Sequence, residues 1–176
     1  MEQNLYNKII LNLLKGESHL RQVAKKLKVN HMSVKRALDF LLKENAVDVK
    51  EEGRNNVFSI KKTLEAKNFV FTAEIHKFNA FIRRHSKLRQ SIVDLTNLPE
   101  SMVIIFGSYA SGTETEDSDI DIYIEAERNS AEKINEKFSV KTGKYNKESS
   151  LIKEIERNHV IAKGVEEFYE KNRFFG

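Results

Sequence analysis

Apolar residues recur at helical spacing through most of the first 45 positions of the chain. They predict three helices, over residues 4–14, 20–27 and 34–42, the third of them capped by Asn30 or Ser33. Two short apolar stretches, 46–50 and 57–60, then flank a polar turn that contains glycine, and they predict a β-hairpin. The first sixty residues therefore favour a small domain of three helices followed by a hairpin.

This order resembles a winged helix-turn-helix domain, and we assign residues 1–62 to it. The resemblance implies that the third helix enters the major groove of double-stranded DNA and that the hairpin tip reaches the DNA backbone. Phosphates would be neutralised by lysine and arginine, and base edges would be within reach of Ser33 and Arg36. The candidate DNA-binding residues are Lys25, Lys26, Lys28, Ser33, Lys35, Arg36 and Arg54.

Charge is uneven along the chain. Residues 1–62 carry 13 Lys and Arg against 7 Asp and Glu, whereas the remainder carries 17 against 19. A basic front half favours an anionic partner. Two alternatives stay open: the lysines are an ordinary solvated surface, or the N-terminal domain is a dimerisation or protein-docking module. If it binds DNA, a homodimer on a two-fold sequence is expected.

The pattern changes after residue 62. Residues 63–98 carry apolar side chains at helical spacing and predict a helical joint, one long helix or two, that ends before Pro99. Residues 102–106 then form a continuous apolar run, typical of a buried strand, and Gly107-Ser108 follows it directly. Gly112 closes the short turn or helix that Ser108 begins.

The next predicted strand, residues 119–125, is unusual because it contains two aspartates, a residue type depleted in strands. Three isoleucines face one way, and Asp119 and Asp121 face the other with α-carbons roughly 6–7 Å apart. Two carboxylates so close repel each other unless a divalent cation lies between them, and hard oxygen ligands suit Mg²⁺. The segment is no P-loop, because Thr113-Glu114 stands where Lys-Ser or Lys-Thr is required.

An apolar strand, Gly107-Ser108, ten residues and then Asp119-Ile120-Asp121 resembles the active-site motif of the polymerase-beta-like nucleotidyltransferases, in particular their minimal stand-alone group. The resemblance is close over residues 102–125 and loose over 75–172. It implies an α+β domain with a small mixed sheet, which we assign to residues 99–176. It also implies that Asp119 and Asp121 are catalytic and bind Mg²⁺ or Mn²⁺, and that Gly107 and Ser108 bind a nucleoside triphosphate, with ATP favoured.

One expected feature of that family is missing. Its active members usually carry a third carboxylate on a later strand, but the strand predicted over residues 138–145 has no acidic residue. Ser139 or Lys141 occupies the expected position, and Glu125 or Glu148 is left as a substitute that spacing alone does not place. Without a positioned base, turnover would be slow, because such a base typically contributes about 10²–10⁴-fold.

The sequence thus predicts a metal-dependent nucleotidyltransferase coupled to a DNA-binding winged helix. Two alternatives remain: a transcriptional regulator whose transferase-like domain only senses nucleotide, and an antitoxin-type protein that nucleotidylates a helical toxin partner. The absence of cysteine excludes disulfides and thiolate metal sites. The apolar runs are too short to span a membrane, and the first residues do not resemble a signal peptide, so a cytoplasmic location is expected.

Overall fold

The chain divides into two compact units, Met1–His76 with Phe174–Gly176, and Lys77–Arg173. The structure, a computed structural model, describes residues 2–53, 55–126 and 137–176. The division falls within a helix (Leu64–Arg84) that begins in the first unit and ends in the second. The domain ranges expected from the sequence stay a prediction, because a division into compact units does not test which segments fold on their own.

The first unit contains three complete helices, the first part of the Leu64–Arg84 helix and a three-stranded antiparallel sheet. The helices are α1 (Glu2–Leu13), α2 (Leu20–Leu27) and α3 (His31–Lys43), and the strands are β1 (Ser18–His19), β2 (Val47–Glu52) and β3 (Asn55–Ile60), in the order β1-β3-β2. All three predicted helices are confirmed. Of the two candidate caps for α3, Asn30 is the one observed, since its side chain accepts a hydrogen bond of 2.8 Å from the Met32 N–H.

The hairpin differs from the prediction in length. Its strands continue to a pairing of Glu52 with Asn55, so the six-residue turn expected over 51–56 is wrong and the connection is two residues long. Gly53 in that connection has φ +62°, a left-handed value that glycine adopts without strain. Charged side chains at the hairpin end resemble loop residues in composition, and this similarity explains why the pattern underestimated the strands.

The second unit is built on a four-stranded mixed sheet in the order β6-β5-β4-β7. The strands are β4 (Val103–Ile105), β5 (Ile120–Ile124), β6 (Phe138–Thr142) and β7 (Val160–Lys163). The pairs β4–β5 and β4–β7 are antiparallel, and β5–β6 is parallel. The predicted strand over 138–145 is confirmed only as far as Thr142, where β6 ends.

The remaining helices of the described residues lie between Leu64 and Lys171. They are α4 (Leu64–Arg84), α5 (Arg89–Thr96), α6 (Gly107–Ser111), α7 (Ser150–Arg157) and α8 (Val165–Lys171), with a short 3-10 turn at Ser86–Leu88. The joint predicted over 63–98 is therefore two helices separated by that turn. Phe81, Ile92 and Leu95 form a buried core with the isoleucines of β5. Because these isoleucines belong to the core, their side of β5 faces the protein interior.

No helix among the described residues is both long enough and apolar enough to cross a membrane.

Candidate active site

The two aspartates lie where β5 begins, next to the turn that leaves β4. Asp119 is exposed and immediately precedes β5, whereas Asp121 is half-buried within it. The Phe106 N–H donates a hydrogen bond of 2.9 Å to the Asp121 carbonyl, so the end of β4 is tied to β5 at this position. The strict alternation of isoleucine and aspartate therefore places the aspartates on the face opposite the core, as predicted.

Gly107 and Asp121 approach each other very closely. A Cβ built on Gly107 would lie 2.3 Å from Asp121 Oδ2 and 3.2 Å from its Cγ, so no side chain fits there. Gly107 also has φ +65°, which strains any other residue. A glycine is required at the start of α6 because the Asp121 carboxylate occupies the space that a side chain would fill.

α6 is a short helix held in place by its own hydroxyl and backbone groups. The Ser111 hydroxyl donates to the Gly107 carbonyl at 2.9 Å, and the helix ends at Gly112, whose φ is +75°. Ser108 is half-buried in the first turn. The predicted nucleotide-binding residues, Gly107 and Ser108, thus lie together with the predicted metal ligand Asp121.

Three ionisable residues form a cluster at the loop between α6 and β5. The Arg84 guanidinium lies 2.7 Å from Glu114 Oε1, and His85 Nε2 lies 3.8 Å from the same oxygen. The His85 ring packs against Phe81 and Tyr109, with centroids 4.5 and 5.2 Å away. Burial lowers the pKa of His85, an effect that Glu114 partly opposes. Sequence reasoning missed this cluster, because thirty residues separate its parts and no local pattern connects them.

Neither of the acidic residues left open as a third carboxylate joins the aspartates. Glu125 lies four residues along β5 from Asp121, roughly 13 Å away, and it pairs with Lys171 at 2.9 Å and with the Tyr145 N–H at 3.1 Å. The hydrogen bond from Lys171 to Glu125 raises the pKa of Lys171. Glu148 pairs with Lys153 at 3.3 Å. The position beside Asp121 on β6 belongs to Ser139, and Lys141 lies beside Tyr123.

Tyr123 is the remaining ionisable group of β5 on the aspartate face. Its hydroxyl donates to the Gly143 carbonyl at 2.8 Å. Burial, together with the charge of Glu125, raises the pKa of Tyr123 well above its usual value. The phenol therefore stays protonated at neutral pH and does not serve as a base.

The candidate DNA-binding residues of the first unit differ in their exposure and their surroundings. Lys25, Lys26, Lys28, Lys35 and Arg36 are exposed, and Arg54 lies outside the described residues. Ser33 is half-buried, and with Arg36 it lines a cleft of about 370 Å³ against Asn4 and Lys8 of α1. The structure thus places Ser33 and Arg36 beside α1.

A family model described as "Nucleotidyltransferase domain" matches residues 85–175, just over half of the chain. The chain therefore belongs to the nucleotidyltransferase domain family. No curated protein and no solved structure matches it.

Proposed function

We propose that the second unit transfers a nucleoside monophosphate from a nucleoside triphosphate, with ATP favoured, to a hydroxyl group of an acceptor. The observation that carries this proposal is the approach of Gly107 to Asp121, since a side chain there would lie 2.3 Å from the carboxylate. The close approach holds the Asp121 carboxylate against the backbone at the start of α6, so a cation held by Asp121 would lie next to a phosphate bound at that backbone. Family membership supports nucleotidyl transfer in general.

The donor set fits a hard divalent cation. Asp119 and Asp121 supply carboxylate oxygens, and Mg²⁺ is typically held by one or two carboxylates together with substrate phosphates and water. Within residues 2–53, 55–126 and 137–176, no group of three or more His, Cys, Asp and Glu is gathered as a metal site. Two aspartates with substrate oxygens are therefore the proposed ligands. When bound, Mg²⁺ or Mn²⁺ would neutralise charge on the phosphates during transfer.

The residues of this chain would act by position. Backbone N–H groups at Gly107 and Ser108, with the Ser108 hydroxyl, would hold phosphate oxygens and orient the α-phosphorus toward the acceptor. A bond forms from the acceptor oxygen to the α-phosphorus, and the bond from that phosphorus to the bridging oxygen breaks. Pyrophosphate leaves with the electron pair, and the acceptor hydroxyl gives its proton to water or to a base that the acceptor itself supplies.

The group that accepts this proton determines how fast transfer can be. Ser139 stands beside Asp121 where a carboxylate base was expected, and a serine hydroxyl is a poor base at neutral pH. Turnover by the purified protein should therefore be slow, or should require an acceptor that supplies a group of its own. The same observation favours a second candidate function, in which the unit binds nucleotide as a sensor and transfers it little.

We also propose that the first unit is a winged helix-turn-helix domain that binds double-stranded DNA. The support is the order of three helices and a hairpin, the tight connection between α2 and α3, and five exposed cations on or beside those helices. The sensor form of the proposal would then make the protein a nucleotide-responsive regulator.

Labelled ATP tests the transfer proposal. The protein is incubated with ATP labelled at the α-phosphate or at the γ-phosphate, with Mg²⁺, with and without cell extract as a source of acceptor. We expect α-label and no γ-label in the acceptor, and none with Asp121→Asn. Transfer of the γ-label, or equal transfer by wild type and Asp121→Asn, would contradict the proposal. Nucleotide binding without transfer in either condition selects the sensor.

A further inference from the structure

A cleft of about 470 Å³ in the first unit lies among α1, α3 and the first part of α4. A volume of several hundred Å³ is typical of a small-molecule site. Three aromatic side chains line the cleft, Tyr6, Phe40 and Phe69. The rings of Tyr6 and Phe40 are stacked with centroids 4.6 Å apart, and Phe40 meets Phe69 edge to face at 6.4 Å. One side of the cleft is therefore an aromatic surface whose rings hold one another in place.

The polar residues that line the same cleft carry amide and hydroxyl groups. They are Gln3, Asn7, Asn68 and Thr72, and none of them is charged at neutral pH. A side-chain amide both donates and accepts hydrogen bonds. An aromatic surface bordered by amides fits a flat, uncharged molecule that carries hydrogen-bonding groups at its edge.

Asn7 gives the strongest indication of a ligand. It lines the cleft and is only 4% exposed, and its side-chain amide has no hydrogen-bond partner in the part of the chain that the structure describes. A buried amide without a partner costs folding free energy, whereas an apolar side chain of similar size would fill the same space without that cost. The amide of Asn7 is therefore available to pair with a molecule bound in the cleft.

We propose that this cleft binds a neutral nucleoside, with adenosine favoured, whose base packs against the aromatic side chains and pairs at its edge with Asn7. Bases stack on aromatic side chains, and the amides of asparagine and glutamine pair with the donor and acceptor groups of adenine. A phosphate would gain little here, because no lysine or arginine lines the cleft. The cleft belongs to the first unit and the paired aspartates to the second, so this inference does not depend on the proposed transfer.

Calorimetric titration of adenosine into the full chain tests the proposal, with EDTA present so that no divalent cation occupies the second unit. We expect saturable binding by wild type and about tenfold weaker binding by Asn7→Leu, which loses one hydrogen-bonding group at similar volume. Asn12→Leu is the matched control. Asn12 lies on the same helix, and its Oδ1 is also buried without a partner among the described residues, but it does not line the cleft. Its variant should bind adenosine as wild type does.

A second variant tests the cleft even if Asn7→Leu does not fold. Asn68→Ala changes an exposed position of α4 to a good helix former, so it should weaken adenosine binding a few fold without lowering the melting temperature. Asn7→Leu should melt at or above the temperature of wild type, because its amide has no partner to lose. A lower melting temperature of Asn7→Leu with unchanged adenosine affinity would show that Asn7 is structural and would overturn the inference.

Three further results would also overturn it. The first is no adenosine binding by wild type, or equal binding by wild type, Asn7→Leu and Asn68→Ala. The second is binding that is lost in Asp121→Asn and kept in Asn7→Leu, since the nucleoside would then occupy the second unit. The third is an uncharged peptide that binds through Asn7 where adenosine does not, since the cleft would then be a protein-docking site.

Discussion

The two compact units hold their charged residues in opposite ways. In the second unit, Asp121 is half-buried within a strand, and its carboxylate lies where a side chain of Gly107 would be. In the first unit, the cations on and beside α2 and α3 are exposed. Gly107 and Asp121 act through their fixed geometry, so a single substitution at either residue can abolish the function of the site. A set of solvated cations acts through summed charge, so each change removes only a part.

The sharpest test of this contrast is Asp121→Asn. Loss of a carboxylate that binds the cation should lower kcat/KM for transfer by about 10³-fold or more, since such electrostatic groups are worth several kcal/mol. The melting temperature should not fall, because the change removes repulsion between Asp119 and Asp121. Steady-state kinetics and thermal unfolding provide the two measurements. Asp117→Asn, a nearby exposed aspartate, is the matched control and should retain activity.

A pair of glycine variants sharpens the geometric side. Gly107→Ala and Gly112→Ala both place alanine at a positive φ, which costs about 1–2 kcal/mol of folding free energy. The new Cβ of Gly107→Ala meets the Asp121 carboxylate at 2.3 Å, whereas that of Gly112→Ala meets the guanidinium end of the Arg84 side chain at 2.9 Å. We expect the larger loss of stability for Gly107→Ala, because its Cβ also overlaps the Asp121 carboxylate, and a fall in ATP affinity of about 10²-fold for Gly107→Ala only. Equal affinities in the two variants would contradict the role given to Gly107.

Single changes in the first unit should have smaller effects. Lys35→Gln should weaken binding to every duplex alike, by a few fold, and should flatten the salt dependence by about 0.9 in log–log slope. Arg36→Gln should also relax sequence preference. Gel shifts at two salt concentrations, on fragments from the gene's own upstream region, measure both effects. Binding that is absent at low salt, or insensitive to salt, would instead support a protein-docking role for this unit.

The smallest predicted effect is on the pH dependence of folding stability. Burial lowers the pKa of His85 in the folded protein, so the unfolded chain binds the proton more readily. Stability is therefore full above the ordinary histidine pKa, about 6.5, and declines as the pH falls through it. We expect the loss of melting temperature between pH 7.5 and 5.5 to be slightly smaller in His85→Gln than in wild type. An identical or larger loss in that variant would show that another group controls the pH dependence.

Local patterns predicted the parts of this molecule whose signals are local. Helical spacing gave α2 and α3, and the alternation of isoleucine with aspartate gave β5 and its two faces. The Gly107–Ser108 step was recognisable because it directly follows a continuous apolar run and is separated from Asp119 by ten residues, whereas the close approach of Gly107 to Asp121 was not predicted. These features depend on a few neighbouring residues.

Contacts between distant segments were beyond such reasoning. β1 is two residues long and exists only because Ser18 and His19 pair with β3. Glu125 forms an ion pair with Lys171, forty-six residues later in the sequence. It therefore does not act as the third carboxylate, a role that spacing had left open. The register that places Ser139 beside Asp121 depends on a parallel pairing of strands, and neither strand specifies it alone. Tertiary packing decides each of these contacts.

The central claim is that Gly107, Asp119 and Asp121 form a site for a triphosphate and a divalent cation. Calorimetric titration of ATP into the full chain, with and without Mg²⁺, tests it most directly on wild type and on the Asp119→Asn and Asp121→Asn variants. The account predicts binding by wild type that strengthens at least about tenfold with Mg²⁺, and no such Mg²⁺ dependence in either variant. Equal, Mg²⁺-independent binding by all three proteins would contradict it.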